Sequence, residues 1–110
     1  MKTDVPQGTL DLMVLKTLAL EPMHGFGIVR RLDQISQGAF QINPGTVFPS
    51  LRRLEDKDLI RGEWDQSENN RRARYYSLTA KGRRQLDREI KEWEHSTLSV
   101  RRVLDFKEGL

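Results

Sequence analysis

Arginine is the residue type through which this chain could do chemistry, and two short stretches concentrate it. One is Asn43-Pro44-Gly45-Thr46-Val47-Phe48-Pro49-Ser50-Leu51-Arg52-Arg53-Leu54-Glu55, which ends on an adjacent arginine pair. The other is Ser67-Glu68-Asn69-Asn70-Arg71-Arg72-Ala73-Arg74, with three arginines in four residues opposed only by Glu68. A guanidinium is always charged and presents a planar fork that matches a phosphate or a guanine edge. The chemistry indicated is therefore recognition of a polyanion. Bond-making chemistry finds no support: cysteine is absent, and His24 and His95 lie far apart without metal-ligand spacing. No Ser/His/Asp arrangement, phosphate loop or paired carboxylates stand out, so neither an enzyme, a metal site nor a cofactor is expected.

The chain has 110 residues, enough for one small domain with a limited core. Its 19 basic and 16 acidic residues leave a net charge of +3, so attraction to an anion must come from where the arginines sit. Met1 leads into Lys2-Thr3-Asp4 with no apolar signal region, and the longest apolar run stops at Pro22, too short to span a bilayer. A cytoplasmic chain with no membrane partner is expected.

The elements that must hold these arginines can be read from their caps and periodicity. Residues 1–8 form a polar arm; Thr9 is a good N-cap, with Asp11 in the first turn of a helix running to Leu20. That helix has only Asp11, Lys16 and Thr17 as polar members, so it should be buried on more than one side, with a second subunit taking one of them. Leu10 and Val14 are accordingly candidate interface residues. His24-Gly25 open a second helix with Ile28, Leu32 and Ile35 inward and Gly38 as its stop; Phe40-Gln41-Ile42 alternates like a short strand.

Asn43 suits an N-cap and Pro44 a first helical position. Val47, Leu51 and Leu54 then face inward, while Gly45, Thr46, Pro49, Arg52 and Arg53 face out. Pro49 removes one helical hydrogen bond, which leaves the start of the helix open between Pro44 and Thr46. Ile60, Gly62 and Trp64 alternate with charged residues as a half-buried strand would, placing Trp64 in the core. A second strand covers Arg74 to Leu78, and Asn69-Asn70 suit a left-handed turn between them. Thr79 caps a last helix in which Leu86, Ile90, Trp93, Thr97, Val100 and Leu104 repeat with heptad spacing. The predicted fold is mainly α with a small β-hairpin: a winged helix-turn-helix over 1–79 and a dimerisation helix over 80–110.

Taken in order, several segments resemble the PadR family of bacterial transcriptional regulators. They are Gly8-Thr9-Leu10-Asp11-Leu12, His24-Gly25-Phe26-Gly27-Ile28, Gly45 through Glu55, Asn69 through Tyr76, and Leu78-Thr79-Ala80-Lys81-Gly82. The likeness covers about residues 8 to 95, and the single last helix is similar to the small PadR subfamily. The resemblance implies a homodimer with a winged helix-turn-helix in each protomer, usually a repressor released by a small ligand or a stress signal. It departs from the family at Phe48, where tyrosine is common and its hydroxyl can reach a phosphate.

The expected partner is double-stranded DNA with a palindromic operator, its half-sites about 34–36 Å apart if one helical turn separates them. Candidate DNA contacts are Gly45, Thr46, Phe48, Pro49, Arg52 and Arg53 on the helix, Arg71, Arg72 and Arg74 on the hairpin, and Lys2, with Lys16 a further backbone candidate. Arg74 has the alternative of pairing within the sheet. Candidate dimer residues are Leu10, Val14, Leu86, Ile90, Trp93, Val100 and Leu104. Trp93 keeps two readings, an apolar anchor in the seam or a wall on which a small aromatic effector stacks. A rival reading gives the same winged surface to a protein partner instead of DNA.

Overall fold

A computed structural model describes residues 2–66 and 69–108; Ser67 and Glu68 of the hairpin tip lie outside the described residues. Helix α1 (Gln7–Leu20) starts earlier than Thr9. Pro6 occupies the N-cap, extended at φ −60° and ψ 148°, a conformation suited to proline, and its carbonyl accepts from the Leu10 N–H at 2.9 Å. Thr9 is thus no cap, and Asp11 falls beyond the first turn, where the dipole no longer accounts for it. At the far end Glu21 is extended, as a residue before proline tends to be.

A two-residue strand that the periodicity did not signal, β1 (Met23–His24), leads into α2 (Gly25–Ile35). His24 caps this helix, its Nδ1 accepting from the Gly27 N–H at 3.0 Å, so the ring nitrogen is satisfied as expected of a helix-opening histidine. The helix stops at Ser36, before Gly38. Gln37 takes the left-handed conformation at φ 56°, its N–H going to Gln34 O and that of Gly38 to Asp33 O, which together form a Schellman motif. Ile35 lies outside the core, 57% exposed. The strand expected over 40–42 reduces to one parallel bridge, Thr3 with Phe40, which ties down the N-terminal arm.

Helix α3 (Pro44–Asp56) starts at Pro44. Asn43 Oδ1 accepts from the Thr46 N–H at 3.2 Å while Thr46 Oγ1 accepts from the Asn43 N–H at 3.4 Å, a reciprocal capping box. Pro49 is accommodated inside the helix, leaving the Gly45 carbonyl without a helical donor. Strands β2 (Ile60–Gln66) and β3 (Arg72–Leu78) pair from Ile60↔Leu78 to Gln66↔Arg72, and β1 joins the other edge of β3, giving the antiparallel order β1-β3-β2. Asn70 adopts the left-handed turn conformation at φ 57°.

Helix α4 (Ala80–Leu104) is capped by Thr79, whose Oγ1 accepts from the Gly82 N–H at 3.0 Å. Val14, Leu15, Ile28, Val47, Leu51 and Ile60 form the centre of one core. Leu86 belongs to it at 3% exposure, and Ile90 packs against its edge; beyond Ile90 the helix leaves the core, stretching the molecule to 64 × 33 × 20 Å. Leu10, Val14 and Leu86 are therefore corrected from interface to core: they are 3%, 0% and 3% exposed within one protomer and have no surface left to give a partner. Trp64 is corrected in the opposite sense. It lies on the same strand face as buried Ile60 but past the end of the core, 57% exposed.

Candidate nucleic-acid interface

The outward side of α3 begins with small residues. Gly45, Thr46 and Pro49 are exposed, so the N-terminal turns can be approached closely from solvent. The Thr46 hydroxyl is engaged with the Asn43 backbone, donating to Asn43 O at 3.0 Å. Phe48 is 38% exposed, its inner edge held by an edge-on contact with Phe26 at 5.4 Å between centroids. It also lies against Gly25, where any Cβ would collide with the ring. The first turns of α2 and α3 are thereby joined by two edge-on phenylalanines whose outer surface is open.

The two adjacent arginines of α3 part company. Arg52 is exposed, whereas Arg53 turns back to α1. Its Nη2 donates to Asp11 Oδ1 at 2.7 Å and its Nε to Asp11 Oδ2 at 3.2 Å, and Ser50 Oγ donates to the same carboxylate at 2.5 Å. The Asp11 hydrogen bond raises the Arg53 pKa above its ordinary value. Arg53 is thus set apart from the candidate contacts, because the Nε and Nη2 side of its guanidinium is bound to Asp11 and holds α3 on α1.

Arg74 is corrected on the same ground. Its Nη2 donates to Glu55 Oε2 of α3 at 2.5 Å, which raises its pKa, so its carboxylate partner is on the helix, while within the sheet it lies near the Trp64 and Tyr76 rings. Among the described residues, no carboxylate lies within ion-pair distance of Arg30, Arg52, Arg71 or Arg72. Arg72 lies over the Trp64 ring, 4.9 Å from its centroid.

Between α2 and the hairpin a cleft of about 670 Å³ gathers Lys2, Arg30, Asn69, Arg71 and Arg72, with Asp33 as its acid. Lys2 sits 3.5 Å from Asp33, and the bridge of Thr3 to Phe40 brings it there. Arg30 escaped the sequence reading, since a polar residue opposite Ile28 and Leu32 looks like any solvated helix face. Only the fold sets it beside the hairpin. Lys16 lies elsewhere, on an apolar groove of about 580 Å³ lined by Leu12, Met13, Leu20, Leu32, Ile35 and Ile90.

On α4, Trp93, Val100 and Leu104 are 50%, 56% and 67% exposed, and Val103 is 75% exposed beside them. Trp93 borders a shallow hollow of about 200 Å³ together with Gly8, Leu12, Glu89 and Glu92. Among the described residues no group of three or more ligating side chains is placed to hold a metal ion, and no helix is long and apolar enough to cross a membrane.

Helices α2 and α3 joined by the connection 36–43, with a β-hairpin alongside, define a winged helix-turn-helix, here extended by a long C-terminal helix. Residues 14–88 match the Transcriptional regulator PadR-like family. The chain belongs to that family and is a transcriptional regulator of the PadR type. It is similar to a PadR family transcriptional regulator from Eggerthella lenta DSM 2243 at 31% identity and a TM-score of 0.80, covering 92% of this chain and 86% of that one. A chain from Streptococcus mutans UA159 has the same fold, with a TM-score of 0.83 at 21% identity over 99% of this chain and 100% of that one. Uncharacterized protein X of Lysinibacillus sphaericus is 27% identical over 110 residues, covering 99% of this chain and 97% of that protein.

Proposed function

We propose that this chain is a homodimeric, sequence-specific DNA-binding repressor. The observation that carries the reading is the separation of the arginines. Arg53 and Arg74 are paired with Asp11 and Glu55, while among the described residues no carboxylate lies within ion-pair distance of Arg52 on α3 or of Arg71 and Arg72 on the hairpin. Gly45, Thr46 and Pro49 suit close approach to a groove floor, Arg52 a guanine edge or flanking phosphate, and Arg71, Arg72 and Arg30 the backbone. Lys2 is held by Asp33 and contributes to the same positive cleft.

Dimerisation is supported by the exposed stripe of Trp93, Val100 and Leu104 on a helix that projects beyond its own core. The apolar groove bordered by Leu12, Met13, Leu20 and Ile90 offers a second copy more apolar surface on α1 than Leu10 or Val14 could. Residues 1–79 then act as the DNA-binding head and 80–110 as the dimerising arm, with the first turns of that arm packed into the head. A planar aromatic effector stacking on Trp93 at this seam would alter the spacing of the two heads and release the operator. A difference of a few kcal/mol between two dimer geometries is enough for such a switch.

The test is retardation of promoter fragments from the protein's own genome across a range of salt. DNA binding through these arginines gives a log affinity that falls linearly with log salt. If nanomolar protein retards no fragment at low salt, the winged surface serves a protein partner instead.

A further inference from the structure

On the inner face of the wing, residues from both strands line up toward the recognition helix. Trp64 pairs directly across from Arg74, and Gln66 from Arg72, so Trp64 and Arg72 are diagonal neighbours on one face. Arg74 reaches from this face to Glu55 on α3. Its route passes over Gly62, where a Cβ would collide with the guanidinium. Its guanidinium carbon then lies 5.8 Å from the Trp64 ring centroid and 5.9 Å from that of Tyr76. Arg72 completes the series at 4.9 Å from the indole.

Half of a tryptophan surface in water is costly unless something uses it, and the core does not, since Trp64 is 57% exposed. The indole face attracts a cation without neutralising it. An arginine resting there keeps its full charge and its donors for a phosphate, but gives up part of the rotamer freedom that binding would otherwise cost. A carboxylate would restrain Arg72 equally well and cancel the charge, which is what Glu55 does to Arg74.

We propose that Trp64 is a positioning residue for DNA binding, carrying Arg72 on its ring toward a backbone phosphate, with the Glu55–Arg74 pair setting the indole relative to the recognition helix. The proposal deepens the repressor reading and rests on it. Trp64 itself makes no required contact with DNA; its effect passes through Arg72.

The experiment compares wild type with Trp64→Ala, Trp64→Leu, Trp64→Phe, Arg72→Ala and the Trp64→Ala/Arg72→Ala double variant. Each is measured on one operator fragment selected from a randomised DNA pool. Trp64→Ala and Trp64→Leu should weaken binding about three- to tenfold. The log–log salt slope should fall by about one in Arg72→Ala but stay near wild type in the Trp64 variants, where Arg72 keeps its charge. Phe retains a π face and should recover most of the loss, whereas Leu, which keeps only the apolar bulk, should not. In the Arg72→Ala background, removing Trp64 should change affinity less than twofold. Equal losses from Trp64→Ala with and without Arg72, or wild-type affinity in Trp64→Leu, overturn the proposal. Wild-type protein that binds no selected DNA overturns the repressor reading itself, a result separate from either of these. Circular dichroism melts of each variant guard against unfolding as the cause.

Discussion

Asp11 of α1 and Arg53 of α3 form a two-pronged ion pair, at 2.7 and 3.2 Å, that is also hydrogen-bonded by Ser50. The side chains are 14% and 28% exposed, so water screens the pair poorly. It joins the helix that borders the apolar groove to the helix proposed to read DNA, 42 residues further along the chain. In the proposed dimer this directional contact would couple α1 to α3 alongside the apolar core that the two helices share.

Asp11→Ala should cost about 1.5–3 kcal/mol of stability, the range for hydrogen bonds to charged groups, because it leaves the Arg53 guanidinium and the Ser50 hydroxyl without their partner. The same change should weaken DNA binding by loosening α3, although Asp11 faces away from the proposed contact surface. Thermal melting and retardation assays check both; an unchanged melting temperature would show that solvent replaces the pair at no cost.

Arg52→Ala and Arg72→Ala should separate reading from anchoring. The first should cost about 1–3 kcal/mol and relax preference at one base pair if its fork meets a guanine. The second should weaken all sequences alike and lower the salt slope by about one. Competition with operator variants at several salt concentrations distinguishes them.

Val100→Asp or Trp93→Asp should give folded monomers that bind DNA poorly, since both side chains lie outside the protomer core. Val14→Asp should instead unfold the protein, because a carboxylate at a fully buried site has no partner. Light scattering with circular dichroism tells these outcomes apart. A dimeric Val100→Asp protein would place the interface elsewhere.

Gly25→Ala should destabilise by about 1–3 kcal/mol, since the new methyl meets the Phe48 ring. The loss should shrink in a Phe48→Leu background, where the ring is gone. A double-mutant cycle on melting data measures this coupling directly.

Titration of planar aromatic compounds should change tryptophan emission in wild type and much less in Trp93→Phe. A flat response across a diverse panel would remove the effector pocket from the scheme.

Local chemistry made much of this fold legible in the chain. His24, Asn43 and Thr79 cap their helices because each places an acceptor three residues before a free N–H, a relation contained within four residues. The inward faces of Val47, Leu51 and Leu54, the left-handed Asn70 and the two hairpin strands are similarly short-range. Helix α1 is different: apolar on nearly every side, it carries no periodic signal to say which side meets the core. Leu10 and Val14 therefore had to be located by packing, and Leu12, Met13 and Leu20 took the surface expected of them.

The arginines mark the same boundary. By itself the sequence determined that they cluster, that they lie on a helix and a hairpin, and that the family is one of transcriptional regulators. Arg52 and Arg53 differ by one residue and about 100° of rotation, and only the position of Asp11 on another helix decides which stays free. Arg74 was drawn to Glu55 across the sheet, Arg30 was brought to the wing, and Trp64 was left outside the core by the length of its own strand. Those outcomes depend on distances between residues far apart in the chain, which caps and periodicity do not encode and tertiary packing does.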